Sequence, residues 1–333
     1  MTADTFAVVI PLYNKEPYVA RAITSVLAQT RPVDEIIIVD DASTDGSADQ
    51  VTAFRDPRLR LLRRTDPKQR GLPATRNVGI RSATSRWIAL LDADDDWHGD
   101  YIKEIEKLLT RATDRTGMLF TGFENIWSGG VVTRDPYSAS CDGQRFTHLS
   151  FDRFVSSWLR LGDCPVIPSG VVLRRDMLFE AGLFQERCRR GEDKEMWLRL
   201  LSIADALASP RVCISYYRAI PGQMQDSVTT NARHCVCATL EDMIVRASGT
   251  RRRLLKRLFN QEVFEYARAV RQRERVSPEI YRGFFVSVDP QRYFILLSLS
   301  YVPVPIQQLI RRFVLWTSGV IGFPKRGTGN KFR

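Results

Sequence analysis

The strongest constraint on the fold is an alternation that runs through the first 110 residues. Short apolar runs rich in β-branched side chains are each followed by a polar or acidic string and then by a segment of helical periodicity. The runs are Phe6–Ile10, Glu35–Val39, Arg58–Leu62 and Trp87–Leu91. Strands alternating with helices predict a mostly parallel sheet covered by helices, an α/β layer. Between the first two runs Asn14 can cap a helix with Pro17 in its first turn, and Val19, Ile23, Val26 and Leu27 share one face. Further helices are expected at about 46–54, 74–83 and 99–110.

From Gly117 to about Tyr217 the pattern is mixed. Met118–Phe123 and Gly170–Leu173 read as strands, about 150–161 and Glu192 to about Ile203 as helices. No Pro/Gly/Ser-rich linker divides this stretch from the first, so residues 1–116 and 117–230 are expected to be two halves of one domain, with 231–333 a helical C-terminal extension.

Chemistry concentrates where strands end. Asp92-Ala93-Asp94-Asp95-Asp96 follows the run Trp87–Leu91 at the carboxyl edge of the sheet, where open α/β folds place ligands. Asp92 and Asp94, two apart, can aim carboxylates at one hard cation shared with phosphate oxygens; the plainer alternative is an acidic loop capping the next helix. Asp40-Asp41 leaves the second strand into Ala42-Ser43-Thr44-Asp45-Gly46-Ser47, good turn chemistry that leaves Asp41 without a structural task and able to accept hydrogen bonds from a nucleoside. Pro11-Leu12-Tyr13-Asn14 brings a tyrosine that can stack on a base. Arg76, early in a helix after Gly71, can neutralise a diphosphate. Gly191-Glu192-Asp193 opens a helix: the acidic pair either complements the helix dipole or supplies a general base. The second reading requires that this helix face the Asp92/Asp94 loop.

Taken in order, Val8–Asn14, Ile36–Ser47, Ala74–Gly79, Ala89–Asp95 and Glu192–Trp197 resemble the motifs of the family 2 glycosyltransferases, over about residues 5–218. Pro168-Ser169-Gly170 to Arg174, Ala181-Gly182-Leu183-Phe184 and Tyr217-Arg218 are similar to that family's acceptor half. The resemblance implies a GT-A fold, a Rossmann-like mixed sheet flanked by helices, and inverting transfer of a sugar from a UDP- or dTDP-type nucleotide sugar to a hydroxyl. It implies Pro11, Tyr13 and Asp41 at the nucleoside, Arg76 at the diphosphate, and Asp92 with Asp94 as the D-x-D pair. Asp94 would be the principal ligand of Mn²⁺ or Mg²⁺ and Asp193 the catalytic base, with Glu192, Trp197 and Arg218 as acceptor or diphosphate contacts. One position departs from the family: Ile220 stands where many relatives carry a histidine, so any help to the metal must come from Arg218, Gln223 or elsewhere.

Net charge separates the chain into two objects. The whole carries +11, but residues 1–250 are nearly neutral, with 32 Lys/Arg against 33 Asp/Glu, whereas 251–333 hold 17 against 5. Phe259, Val263, Tyr266 and Val270, and later Ile306, Leu309, Ile310, Phe313, Trp316 and Val320, make apolar stripes flanked by arginines. Such a tail suits an anionic membrane surface, or a helix packed on the catalytic domain with its arginines outward. An acidic cleft and the absence of any nucleic-acid motif exclude a nucleic-acid partner. Six cysteines without C-x-x-C spacing are expected to be reduced, and no signal peptide or spanning run is apparent; a cytoplasmic enzyme at the inner face of the membrane is expected. The expected task is bacterial surface polysaccharide synthesis on a glycan or lipid-linked acceptor. Alternatives are a polyprenyl-phosphate glycosyltransferase, whose ionised acceptor needs no base, and a nucleotide-sugar or glycan-binding protein without turnover.

Overall fold

The structure is a computed structural model that describes residues 4–64, 71–141, 146–188, 190–218, 235–271 and 276–301. Its elements are β1 (Phe6–Leu12), α1 (Val19–Leu27), β2 (Glu35–Asp40), α2 (Ser47–Thr52), β3 (Leu59–Arg63), α3 (Leu72–Ser82) and β4 (Trp87–Leu90). There follow β5 (Asp96–Trp97), α4 (Tyr101–Leu109), β6 (Thr116–Trp127), β7 (Val132–Arg134), α5 (Pro136–Ser140), β8 (Thr147–Leu149) and α6 (Phe151–Leu161). The last are β9 (Val171–Arg174), α7 (Arg175–Glu180), α8 (Glu192–Ile203), β10 (Asp205–Arg218), α9 (Cys235–Arg246), α10 (Gly249–Arg271) and α11 (Pro290–Tyr301).

The strands join one sheet in the order β3-β2-β1-β4-β9-β6-β10-β5, with β7 on β6 and β8 on β10. β3, β2, β1 and β4 are mutually parallel, so the loops that follow them emerge at one edge. β9 runs antiparallel to both β4 and β6, so the 3₁₀ turn Pro168–Gly170 that leads into it meets that same edge.

Period-two alternation divides the core between the two faces. Ala7, Val9, Ile37 and Val39 point to one side, packed with residues of α3, α6, α8, α9 and α10. Phe6, Val8, Ile10, Ile36 and Ile38 point to the other, against α1 and α4. The helix α3 lies directly on β1 because Gly79 has no side chain: a Cβ there would sit 2.4 Å from Cγ1 of Val9.

Several expectations change. Asn14 does not cap α1, which starts at Val19 after Tyr18. Asn14 adopts a left-handed backbone (φ 49°), its N–H donates to Ser43 Oγ at 3.1 Å, and its Oδ1 accepts from Thr44 N at 2.8 Å. Bonding across to the second loop wins over local capping. The cysteines are not all reduced: Cys188 and Cys235 form a disulfide with Cα atoms 5.7 Å apart, joining the approach to α8 to the start of α9. The stripe Phe259, Val263, Tyr266 and Val270 is buried in the same core as β1 and α8, so that face of α10 packs on the sheet domain. The 306–321 stripe, Ile220 and Gln223 lie outside the described residues.

Since Phe259 is fully buried in this shared core, Phe259→Ala should destabilise the protein by about 3–5 kcal/mol. Urea unfolding should show this in a single transition; an unchanged midpoint would mean that α10 does not contribute to the core.

Candidate active site

The loops after β1, β2 and β4 and the N-termini of α3 and α8 converge at the carboxyl edge. Tyr13, after β1, is 49% exposed, its ring open to solvent, while Pro11 is buried in the strand. Asp41, after β2, has work that the sequence does not show: Oδ1 accepts from Arg64 Nη1 at 2.8 Å and Oδ2 from the Gly71 N–H at 2.8 Å. One carboxylate thus ties Arg64 at the end of β3 to Gly71 at the start of α3.

The Asp92–Asp96 turn is held by its neighbours. Ser169, in the turn before β9, accepts from the Asp92 N–H at 3.1 Å, donates to Asp95 Oδ2 at 2.5 Å, and its carbonyl accepts from Trp97 Nε1 at 2.7 Å. Asp95, fully buried, also accepts from the Tyr217 N–H at the end of β10, at 3.0 Å. Burial and the neighbouring Asp94 and Asp92 push the Asp95 carboxyl well above the carboxylate range. Asp95 and Ser169 are therefore fasteners of the turn. The motif D-x-D-D contained one signal for them, the third carboxylate, but its partner is 74 residues away.

Arg76 is the centre of the arrangement. Its side chain is 1% exposed, and its two terminal nitrogens reach Asp92 Oδ1 at 2.7 Å and Glu192 Oε1 at 3.0 Å. Burial opposes the charge, but Asp92 and Glu192 more than restore it, so the guanidinium is held cationic. The N-terminus of α8 therefore does face the Asp92 loop, with one guanidinium between them. Next to Glu192, the Asp193 carboxyl is pushed up by burial, and the Lys194 ammonium pulls it back. The Glu192 carboxyl is pushed up to about 7, first by burial and then by Asp193.

Asp94 is paired too: Lys15 Nζ donates to its Oδ2 at 2.8 Å, and Arg21 Nη2 to its backbone carbonyl at 2.6 Å. Lys15 is a site residue that sequence reading missed, although it directly follows Asn14 in the first motif. Of the remaining expected residues, Arg218 donates from Nε to Asn125 Oδ1 at 2.8 Å and lies 4.2 Å from the Tyr216 ring. Trp197 is fully buried, edge-on to Phe184 at 6.0 Å, and so supports α8 from the core instead of presenting a face to a ligand.

Among the described residues no three His, Cys, Asp or Glu side chains are arranged to hold a metal. Asp92 and Asp94 nonetheless fit a hard divalent cation, since each has one carboxylate oxygen not taken by Arg76 or Lys15 in the contacts above. Such a cation would draw its other ligands from phosphate and water.

Comparison with known proteins agrees with this geometry. The profile of the family described as "Glycosyl transferase family 2" matches residues 7–154. TuaG of Bacillus subtilis, a glycosyltransferase named for teichuronic acid biosynthesis, is 34% identical over 232 residues, 68% of this chain and 81% of that protein. The chain belongs to glycosyltransferase family 2. An uncharacterised glycosyltransferase of Rickettsia felis is 31% identical over 199 residues; they make up 59% of this chain, but the match spans only 30% of that longer protein. Among solved structures, S. aureus TarS 1-349 in complex with UDP-GlcNAc superposes with a TM-score of 0.64 at 14% identity, covering 89% of this chain and 88% of that one. The fold is thus the GT-A type, an α/β sheet flanked by helices.

The raised Glu192 pKa has a sign. Going from its usual 4.5 to about 7, the folded state binds the proton more tightly than the unfolded chain. The stabilisation is complete below about 4.5 and is lost as pH rises through about 7. Glu192→Gln should flatten the fall in unfolding free energy between pH 5 and pH 8 by on the order of 2 kcal/mol. Urea titrations at the two pH values check this; equal slopes in variant and wild type would sink it.

Proposed function

We propose that this protein is an inverting glycosyltransferase that moves a sugar from a UDP- or dTDP-type nucleotide sugar to a hydroxyl acceptor, in the synthesis of a bacterial surface polysaccharide. The observation that carries the proposal is the bridge from Asp92 through Arg76 to Glu192, which brings the N-terminus of α8, where Asp193 follows Glu192, to the acidic loop after β4. TarS, a structural neighbour, is seen in complex with UDP-GlcNAc, and TuaG is named for teichuronic acid biosynthesis; both are consistent with this chemistry.

In this scheme Tyr13 stacks on the base, Pro11 shapes the floor of that pocket, and Asp41 accepts hydrogen bonds from the nucleoside. Arg76 acts on the diphosphate region through the carboxylates it fixes, since its guanidinium is buried. Asp92 and Asp94 would hold Mn²⁺ or Mg²⁺, with Asp94 the principal ligand. When bound there, the cation would neutralise charge growing on the diphosphate as it leaves. Asp193 takes the proton of the acceptor hydroxyl while that oxygen attacks the anomeric carbon from the face opposite the nucleotide. The new glycosidic bond forms as the bond to the phosphate oxygen breaks, and one displacement inverts the centre. Glu192 and Arg218 border the space where acceptor and diphosphate meet, with Trp197 backing α8.

Residues 1–116 then form the donor half, 117–230 the acceptor half, and 231–333 an extension that keeps the enzyme at an anionic inner-membrane surface. Support for the last point is the 17 Lys/Arg against 5 Asp/Glu in 251–333 and the exposed Phe294 and Ile295 on α11. No helix among the described residues is long and apolar enough to cross a membrane.

Asp193→Asn should keep UDP binding by calorimetry and lose transfer by about 10²–10⁴-fold. A variant that transfers at the wild-type rate removes Asp193 from the base role, as expected for a lipid-phosphate acceptor. Asp94→Ala should weaken UDP binding in the presence of Mn²⁺ and leave it little changed without; equal affinities in Mn²⁺ would count against the ligand assignment. The intact protein should float with liposomes containing anionic lipid and not with neutral ones, and equal recovery from both would end the membrane proposal.

A further inference from the structure

Between Phe184 and Glu192 the chain that leads into α8 is tied down at several points. Asn77, next to Arg76 on α3, holds the near end: Nδ2 donates to the Phe184 carbonyl at 2.8 Å and to Glu186 Oε1 at 3.1 Å, and Oδ1 accepts from the Phe184 N–H at 2.9 Å. At the far end the Arg190 guanidinium lies over the Tyr266 ring of α10, 5.4 Å to the centroid. Between these ties Cys188 is bonded to Cys235, the first residue of α9. Helix α9 is a firm post, because Val236, Cys237 and Leu240 are buried in the core shared with α8 and α10, and Thr239 Oγ1 donates to Glu195 Oε1 of α8 at 2.8 Å. Shortly past Cys188 stands Glu192, whose Oε1 accepts from the buried Arg76 at 3.0 Å. The disulfide therefore lies on the approach to the ion triad of the site.

We propose that Cys188–Cys235 is a redox switch on the transferase: the disulfide holds the start of α8 in place against Arg76, and its reduction to two thiols releases that start and slows transfer. This rests on the reading of the α8 N-terminus as part of the active site. Both states have a place in the structure. The two sulfurs flank one acceptor, the Arg190 carbonyl, which lies 3.4 Å from Cys188 Sγ and 2.9 Å from Cys235 Sγ. A disulfide sulfur has no hydrogen to give, but a thiol can donate there, so a freed cysteine finds a partner where it stands. What is lost is the covalent tie, replaced by a weak S–H donor. Access is one-sided: Cys188 is 4% exposed whereas Cys235 is half-buried, so a dithiol reductant meets Cys235 first. Its thiolate attacks Cys235 Sγ and forms a mixed disulfide, while Cys188 leaves as a thiolate and takes a proton. The reductant's second thiolate attacks the reductant's own sulfur in the mixed disulfide, and Cys235 leaves and is protonated. Two electrons and two protons pass to the pair, and the reductant departs as its own disulfide. Cys141, Cys164, Cys213 and Cys237 are free, so this pair is the one redox couple among the six cysteines.

The test compares the full-length protein oxidised with glutathione disulfide and reduced with dithiothreitol, the state of each cysteine being read by alkylation and peptide mass. Cys188 and Cys235 should change state together and the other four stay thiols. Hydrogen–deuterium exchange in the first turns of α8, where the Glu195 N–H donates to the Gly191 carbonyl, should be about tenfold faster in the reduced protein. Release of UDP from UDP-glucose with Mn²⁺ should fall about tenfold on reduction and return on reoxidation, with UDP affinity by calorimetry unchanged. Cys188→Ser/Cys235→Ser should match the reduced protein and ignore both reagents; if that variant does not fold, the reduced wild-type protein gives the same reading. A reduced protein that melts lower but keeps its α8 exchange and its UDP release overturns the proposal, since a purely structural staple behaves in that way. So does a bond that never forms under glutathione disulfide, or one that resists excess dithiothreitol in the folded protein. If neither state releases UDP while exchange at α8 still follows the cysteines, the nucleotide-sugar reading is what fails and the switch at α8 stands.

Discussion

The buried guanidinium of Arg76 is the interaction on which the rest of the site depends. A cation with 1% of its side chain exposed is tolerable only between carboxylates, and Asp92 and Glu192 can approach one another only with a cation between them. Arg76 stands in α3 and Glu192 at the start of α8, 116 residues later, so the same ion triad that balances charge also sets the distance between these two helix starts. Losing one partner of a buried pair of this kind typically destabilises by about 3–5 kcal/mol, which is comparable to a sizeable part of a domain's whole stability.

The sheet supplies the geometry that this triad locks. Parallel β1, β2 and β4 deliver three loops to one edge, and the reversal at β9 brings a turn from the second half to the same place. Ser169 in that turn and the Tyr217 N–H at the end of β10 both hold Asp95, so the acidic turn is fastened from two strands that follow it in sequence. Buried, hydrogen-bonded and shifted toward its protonated form, Asp95 can stiffen the turn without adding another full negative charge beside Asp92 and Asp94.

Much of this was legible in the sequence because it is local. Strand periodicity, the acidic strings at strand ends and the helix opening at Glu192 lie within short windows, and β1, β2, β4, α3 and α8 appear within a few residues of where the pattern sets them. What escaped is non-local. Asn14 has a capping residue's chemistry but finds Ser43 and Thr44 in the neighbouring loop after β2. The stripe on α10 has the same spacing whether it meets lipid or protein; only the packed structure shows that Phe259 and Val263 meet the core. The pairs Ser169–Asp95, Cys188–Cys235 and Lys194–Glu262 join residues between 47 and 74 positions apart, and no spacing rule connects them.

The bare face of Gly79 has a consequence well away from sugar chemistry. It sits three residues, just under one turn, beyond Arg76 on α3, and it lets that helix settle to contact with Val9 in the sheet. The height of the helix above the strands is thereby the height of the guanidinium above the cleft. A single methyl group inserted at 79 acts as a shim under the helix, and the displacement would be read out at Asp92 and Glu192, where hydrogen bonds tolerate only tenths of an ångström. The seating of the site's central cation is set here by a position that carries no functional group at all.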